Sequence, residues 1–272
     1  MFTASDVVYP ILDPTFAAEA ARLWSQHIAL RTCLDTLPSL LPETLSLRLL
    51  DLACGAGNWL LDVAFELPEA EVVGIDPSLA NIQYAHARAR VSLCHNISVS
   101  VMDLRSGLHF PHDSFDLICG HFLSAWLTEE QWLPMLTQCR SFLRPHGVLR
   151  LIEAEAGHCS SPACEQLSSW YEQALHANGT RKRQPNWSEL LRQAGYEVTF
   201  TRKMLDFAVV PDAMRKVILM FFALVQSFIV KSGVVTQEVF EQTYQLMHCQ
   251  IEDEAFAGSW RLLDLQAALC QQ

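Results

Sequence analysis

The stretch Leu49-Leu-Asp-Leu-Ala-Cys-Gly-Ala-Gly-Asn-Trp-Leu-Leu-Asp-Val-Ala64 restricts the fold more than any other part of the chain. Leu47, Leu49, Leu50 and Leu52 form a short apolar run. Gly55 and Gly57 then let the backbone turn tightly and approach a ligand with no Cβ in the way. Helical spacing resumes at Asn58. A strand ending in a glycine turn over a helix N-terminus offers backbone N–H groups at the positive end of a helix dipole. Many α/β proteins hold nucleotide-like ligands in that way.

The pattern around this turn alternates strand with helix. Strands are expected at 46–52, 71–75, 97–102, 115–120 and 148–153, with helices at 58–67, 78–91 and 128–143. Runs such as Glu71-Val-Val-Gly-Ile75 and Phe115-Asp-Leu-Ile-Cys119 are continuously apolar, as expected of parallel strands covered on both faces. Thr128-Glu-Glu-Gln131 reads as a capping box, and Arg144-Pro145-His146-Gly147 as the stop before the next strand. Beyond Glu153 the pattern predicts helices at 162–178, 186–194, 211–231 and 236–251, with strands at 196–201 and 256–265. Asp13-Pro14 opens an N-terminal helix on which Phe16, Ala20, Leu23, Trp24, His27, Leu30 and Leu34 recur at helical spacing. The expected fold is α/β: a Rossmann-like, seven-stranded, mostly parallel sheet with helices on both faces, plus an N-terminal helix and a helical cap. The chain reads as one domain over 1–272, with an N-terminal cover at 1–45 and a cofactor-binding core at 46–155. The segment 156–272 completes the sheet, its inserted helices 211–251 forming a substrate lid or a homodimer face.

Charge narrows the partners. A net charge of −11, with Arg181-Lys182-Arg183 as the only dense cationic cluster, disfavours nucleic acid and suits a small-molecule substrate. The nine cysteines are scattered with no CxxC pair, which fits reduced thiols in a cytoplasmic protein and no bound metal. The N-terminus lacks the pattern of a signal peptide. The apolar run Val217–Val230 has 14 residues, fewer than the ~20 that a membrane span needs, so it reads as a buried helix with no membrane partner.

Three carboxylates fall at the carboxyl ends of successive predicted strands, where open α/β sheets bind ligands: Asp51, Asp76 and Asp103. Asp76, in Gly74-Ile-Asp-Pro-Ser78, lies about one βαβ unit after the glycine turn, where a carboxylate can accept both hydroxyls of a ribose. Asp103 could accept an exocyclic adenine N–H while Met102 and Leu104 flank the ring. Each aspartate, taken singly, also suits a cap or a turn.

The ordered set Leu50-Asp-Leu-Ala-Cys-Gly-Ala-Gly57, Gly74-Ile-Asp-Pro-Ser78, Met102-Asp-Leu104, Phe110-Pro-His-Asp-Ser-Phe-Asp-Leu-Ile118 and Cys139-Arg-Ser-Phe-Leu-Arg-Pro-His-Gly-Val-Leu149 resembles the class I S-adenosylmethionine-dependent methyltransferases. Arg22-Leu-Trp-Ser-Gln-His27 and Trp59 are similar to a small-molecule branch found in secondary metabolism. The resemblance implies S-adenosylmethionine as cofactor, S-adenosylhomocysteine as product, and methyl transfer to a small molecule. It implies that Ala53, Gly55 and Gly57 line the methionyl part, that Asp51 helps hold the ammonium, and that Asp76 holds the ribose and Asp103 the adenine. Asn58, Pro77, Met102, Leu104, His121 and Tyr9 complete the implied contacts, Tyr9 as a cover from the segment before the first helix. His27 and His121 are the candidate general bases. Glu153 and Glu155 are expected to face the same cleft. His146 and Cys54 depart from the family's usual small residues. Trp126, Trp170, Tyr171, Met220, Phe221, Phe222, Phe228 and Met247 suggest an apolar or aromatic substrate.

Competing readings remain at this level. A dinucleotide oxidoreductase would need a third glycine where Leu60 stands. A cofactor-binding protein that catalyses a rearrangement or cyclisation, or serves as a partner subunit, shares every motif above. Methylation of RNA or protein conflicts with the acidic charge.

Overall fold

The computed structural model describes residues 16–41, 46–125, 127–178 and 185–269. Tyr9, Asp13, Pro14 and Trp126 lie outside them. The elements run α1 (Phe16–Leu30), β1 (Arg48–Leu52), α2 (Asn58–Glu66), β2 (Glu71–Asp76), α3 (Leu79–Val91), β3 (Ile97–Val101), β4 (Phe115–His121), α4 (Glu129–Phe142), β5 (Leu143–Cys159), α5 (Pro162–Ala177), α6 (Trp187–Gln193), β6 (Tyr196–Asp206), α7 (Pro211–Lys231), α8 (Gln237–Ile251) and β7 (Gly258–Leu269). The seven strands form one sheet in the order β3-β2-β1-β4-β5-β7-β6. The four registered pairs, β3 with β2, β2 with β1, β1 with β4 and β4 with β5, are all parallel.

Helix starts follow their local chemistry. Ser78 accepts from Asn81 N at 3.3 Å, Ser161 from Cys164 N at 3.1 Å and Thr236 from Val239 N at 3.4 Å, each satisfying a donor that the first helical turn cannot. The capping box of Thr128 and Gln131 forms as the sequence predicts.

Two compact units make up the chain. One holds most of the sheet, with Leu34–Ala154 as its main segment. Its central strands β1, β2 and β4 are buried almost throughout, which is why they read as apolar runs without alternation. Alternate residues face opposite cores: Leu49, Val72 and Leu117 pack with Trp59 and Leu60 of α2, whereas Leu50, Val73 and Ile118 pack with Trp132 of α4 and Trp187 of α6. Helices therefore cover both faces. The other unit gathers α1, α5, α7 and α8. Here α1 packs along α7, and α5, α7 and α8 pack on one another. Met214, Val217, Phe222, Val225 and Ile229 of α7 turn inward, although at 21 residues the helix is longer than the apolar run read from the sequence and long and apolar enough to cross a membrane by length and composition. One unit boundary falls at Ala154–Glu155, and α1 groups with the helices.

The predicted apolar face of α1 is corrected. Trp24 is 48 % exposed, and the buried positions are Ala20, Arg22, Ser25, Ala29 and Leu30. Arg22 tolerates burial because Nε and Nη2 donate to Glu19 at 2.7 and 2.8 Å and Nη1 donates to Gln26.

The stop predicted at 144–147 is an irregularity at the start of β5. Phe115 pairs with Leu143 but Leu117 pairs with Val148, so one residue of β4 faces four of β5. Asp116 anchors the distortion by accepting from Arg144 Nη1 at 2.7 Å and Arg48 N at 2.8 Å. His146 sits there at φ 68°, the left-handed region that glycine occupies without cost, and its side chain is exposed. His146→Gly is expected to raise the free energy of unfolding by up to about 1 kcal/mol. A urea midpoint equal to or below that of the parent protein would show that the backbone there is not strained.

Candidate functional site

The strand register places the aspartates side by side. Asp51 pairs with Gly74 on β2 and Cys119 on β4, so Leu52, Asp76, Val101 and His121 close the carboxyl edges of four neighbouring strands. The order reverses between β1 and β4, and in open sheets the crevice at such a reversal is where a ligand enters.

The glycine turn crosses this edge. Ala53, Gly55 and Gly57 all adopt positive φ, at 54, 54 and 74°. At Gly57 a Cβ would sit 2.9 Å from Ala85 Cβ, so α3 packs directly on the turn. Gly57 is also the N-cap of α2 and has no side chain, which leaves the first turn of α2 without a side-chain cap.

Asp76 is buried, and three donors fix its carboxylate. Gly55 N donates to Oδ2 at 2.9 Å, while Ser78 N and Asn81 Nδ2 donate to Oδ1 at 2.8 and 3.1 Å. One side chain thus ties the glycine turn to the start of α3. Asp51 is buried as well, with its Oδ1 3.9 Å from His121 Nδ1, and the His121 ring centroid lies 6.1 Å from that of Trp59. Trp59 is held by its own Nε1 donating to Thr36 O at 2.8 Å.

Asp103 does two jobs that the sequence left open. It caps a 3-10 turn at Leu104–Ser106, accepting from Arg105 N at 2.9 Å, and it pairs with the Arg105 guanidinium at 2.8 Å. Partial burial would raise its pKa, but the hydrogen bonds and charge of Arg105 outweigh this and hold the carboxyl below its ordinary value. An adenine amino group would reach Asp103 in competition with Arg105. Met102 is half-buried and Leu104 buried beside it. Pro77 is half-buried between Asp76 and the Ser78 cap.

Two expectations change. Glu153 does not face the strand-edge crevice: it is 1 % exposed and accepts from Ser124 Oγ at 2.5 Å and Ser124 N at 3.2 Å, fastening the loop after β4. Glu155 belongs to the helical unit. The two candidate bases also separate by unit, since His121 ends β4 whereas His27 lies half-buried on α1 near Trp24, with ring centroids 6.3 Å apart. Cys54 is a buried thiol whose pKa is pushed well up by burial and by the neighbouring Asp51 and Asp76 carboxylates, so it is no nucleophile. Among the described residues no group of three His, Cys, Asp or Glu side chains is arranged to hold a metal.

Sequence reasoning missed Arg88. From α3 its Nη1 donates to Ala56 O at 2.8 Å and to Asn58 Oδ1. The Asn58 side chain is therefore turned towards α3, and what Asn58 offers a ligand is its backbone. The arginine carried no signal in the sequence, because it lies 30 residues from its partner and looks like any basic residue in the last turn of a helix.

Residues 49–147 match a family model described as a methyltransferase domain. The sheet and its helices have the Rossmann-like fold of the S-adenosylmethionine-dependent methyltransferases. The "Secondary metabolism regulator laeA" of Aspergillus fumisynnematus is 31 % identical over 156 residues, 57 % of this chain and 36 % of that protein. The "Trans-aconitate 2-methyltransferase" of Deinococcus radiodurans is 30 % identical over 142 residues, 51 % of this chain and 50 % of that one. The chain thus spans about a third to a half of the length of these curated relatives. Among solved structures, phosphoethanolamine N-methyltransferase 2 of Haemonchus contortus in complex with S-adenosyl-L-methionine superposes with a TM-score of 0.53 at 16 % identity, covering 92 % of this chain and 53 % of that one.

Within the matched stretch the residues fit the chemistry of S-adenosylmethionine. Asp76 suits the ribose hydroxyls, Asp51 an ammonium, the uncapped N–H groups of α2 a carboxylate, and Met102 with Leu104 the flat apolar face of a purine.

Proposed function

We propose that this chain is an S-adenosylmethionine-dependent methyltransferase acting on a small, apolar or aromatic molecule in natural-product biosynthesis. The observation that carries the reading is the Asp76 carboxylate, locked to Gly55 N at the strand-order reversal inside a matched methyltransferase domain. S-Adenosylmethionine, when bound, supplies an activated methyl group for in-line attack by the acceptor.

The chain's own part is binding, orientation and exclusion of water. Asp76 holds the ribose, the glycine turn lets the methionyl portion approach the backbone, and buried Asp51 faces its ammonium. His121, beside Asp51, serves as a contact at that end rather than as the base. The helical unit holds an aromatic cluster of the kind that suits an apolar ligand. There Tyr171 lies edge-on to Phe221 at 5.0 Å and Phe228 at 6.3 Å between ring centroids, all three half-buried. The name of one relative, a secondary metabolism regulator, supports the natural-product setting, and that of the other, a trans-aconitate 2-methyltransferase, supports a small acceptor. The charge of −11 supports a small acceptor over nucleic acid, in a cytoplasmic protein that works off the membrane as a monomer or homodimer.

Incubation with methyl-labelled S-adenosylmethionine and a pool of small aromatic hydroxy and amino compounds tests this. Label is expected in the small-molecule fraction. Label confined to RNA or protein, or product formed without label, would contradict it.

A further inference from the structure

The helix that follows β2 does more than cover the sheet. Its residues Ala85 and Arg88, one turn apart on α3, both bear on the glycine turn: Ala85 Cβ fills the space that a side chain at Gly57 would need, and Arg88 crosses to Ala56 O and Asn58 Oδ1. Asp76 fastens the opposite side of the same turn through Gly55 N. The turn is therefore held at consecutive residues, by an acceptor at Gly55, a donor at Ala56, a packing contact at Gly57 and a donor at Asn58.

We propose that Arg88 is a positioning residue for the cofactor, setting the backbone of the glycine turn and the start of α2 against which the ligand lies. The inference rests on the function proposed above. Three features favour it over a merely structural role. First, Arg88 engages the turn's own carbonyl at Ala56 and, through Asn58 Oδ1, the first residue of α2, so that one side chain ties the turn to the start of the helix. Second, Ala53, Gly55 and Gly57 are all in left-handed conformations, and the one turn bond from Gly57 N to Cys54 O at 3.0 Å is joined by bonds to partners outside the turn, from Cys54 N to Ile75 O and from Gly55 N to Asp76. Third, the guanidinium is half-buried and desolvated, enough to lower its pKa although Tyr84 and Asp62 oppose the shift. Arginine suits the task, since a planar fork can donate to two acceptors at a fixed separation and an ammonium cannot do so with the same geometry.

The test uses the full chain. S-Adenosylhomocysteine binding is measured by calorimetry for wild type, Arg88→Lys and Arg88→Met, alongside urea unfolding of each without ligand. Arg88→Met is expected to weaken binding about tenfold or more, and Arg88→Lys about threefold, at temperatures where both are fully folded. Asn58→Ala, which removes one of the two acceptors but leaves Arg88 on Ala56 O, is expected to lie between wild type and Arg88→Met; it keeps the test decisive should Arg88→Met fail to fold. If all the folded variants bind as tightly as wild type, and only the unfolding midpoint moves, the positioning role is wrong and Arg88 merely stabilises. If wild type itself fails to bind S-adenosylhomocysteine, the proposed function falls and this inference falls with it. The two failures are thus distinct.

Discussion

Asp264→Ala is expected to destabilise the protein by about 3–5 kcal/mol, the cost of leaving one member of a buried ion pair without its partner. Arg150 on β5 is 1 % exposed and meets Asp264 on β7 in a bidentate arrangement, Nε to Oδ1 at 3.0 Å and Nη2 to Oδ2 at 2.8 Å. Its remaining nitrogen donates to Asp35 O at 2.8 Å and Thr36 O at 3.2 Å. Burial lowers the Arg150 pKa, but the hydrogen bonds and charge of Asp264, together with Cys119 and Asp35, more than reverse this; once Asp264 is removed the guanidinium still keeps its proton, as arginine does in proteins, and stays buried without its counter-charge. The effect extends beyond two strands: Thr36 O also receives Trp59 Nε1, so the pair helps hold the residue that stands beside His121. Urea unfolding followed by circular dichroism measures the loss. Replacing both members together, Arg150→Met with Asp264→Leu, is expected to cost much less than Asp264→Ala alone, because no charge is left buried. An Asp264→Ala midpoint close to that of the parent would mean that water reaches the guanidinium.

Asp76→Ala carries the second large effect, this time on binding. It is expected to weaken cofactor affinity by about 1 to 3 kcal/mol from the lost ribose contacts. A further loss follows because Gly55 N, Ser78 N and Asn81 Nδ2 lose the acceptor that fixes the turn. Asp76→Asn separates charge from geometry poorly here, and for a clear reason. The carboxylate takes donors on both oxygens, so an amide must place its NH2 against either Gly55 N–H or the pair from Ser78 and Asn81, donor against donor. Asparagine is therefore expected to bind nearly as poorly as alanine. Calorimetric titration of each folded variant reads this directly, and an Asp76→Asn protein with near-wild-type affinity would refute the bracing role.

What the sequence made legible was whatever depends on local pattern. The strand at 71–75, the helix at 211–231 and the capping box at Thr128 each write their signal within a few consecutive residues, and each lies where it was expected. The three aspartates were legible because strand ends in a parallel sheet converge on one edge whatever the side-chain detail. Contacts set only by tertiary structure were not legible. Arg150 and Asp264 lie 114 residues apart, and Arg88 and Asn58 lie 30 apart, with nothing in either neighbourhood to announce the partner. Glu153 looked like a cleft residue because the predicted strand 148–153 ended on it, but β5 runs on to Cys159 and Ser124 of the loop after β4 donates to its carboxylate. Trp24 misled in the opposite direction: hydrophobic spacing assigned it to the packed face, whereas an ion pair with Glu19 lets Arg22 take a buried place on α1. His146 was legible as a departure from glycine, and its positive φ gives that departure a physical meaning.

The central claim is that the crevice at the β1–β4 reversal holds S-adenosylmethionine. Calorimetric titration of S-adenosylmethionine into the purified full chain tests it most directly, with NADH titrated in parallel. The account predicts saturable binding of one S-adenosylmethionine per chain, sharply weakened by Asp76→Ala, and no binding of NADH. Absence of S-adenosylmethionine binding by a folded protein, or binding of NADH in its place, would contradict it.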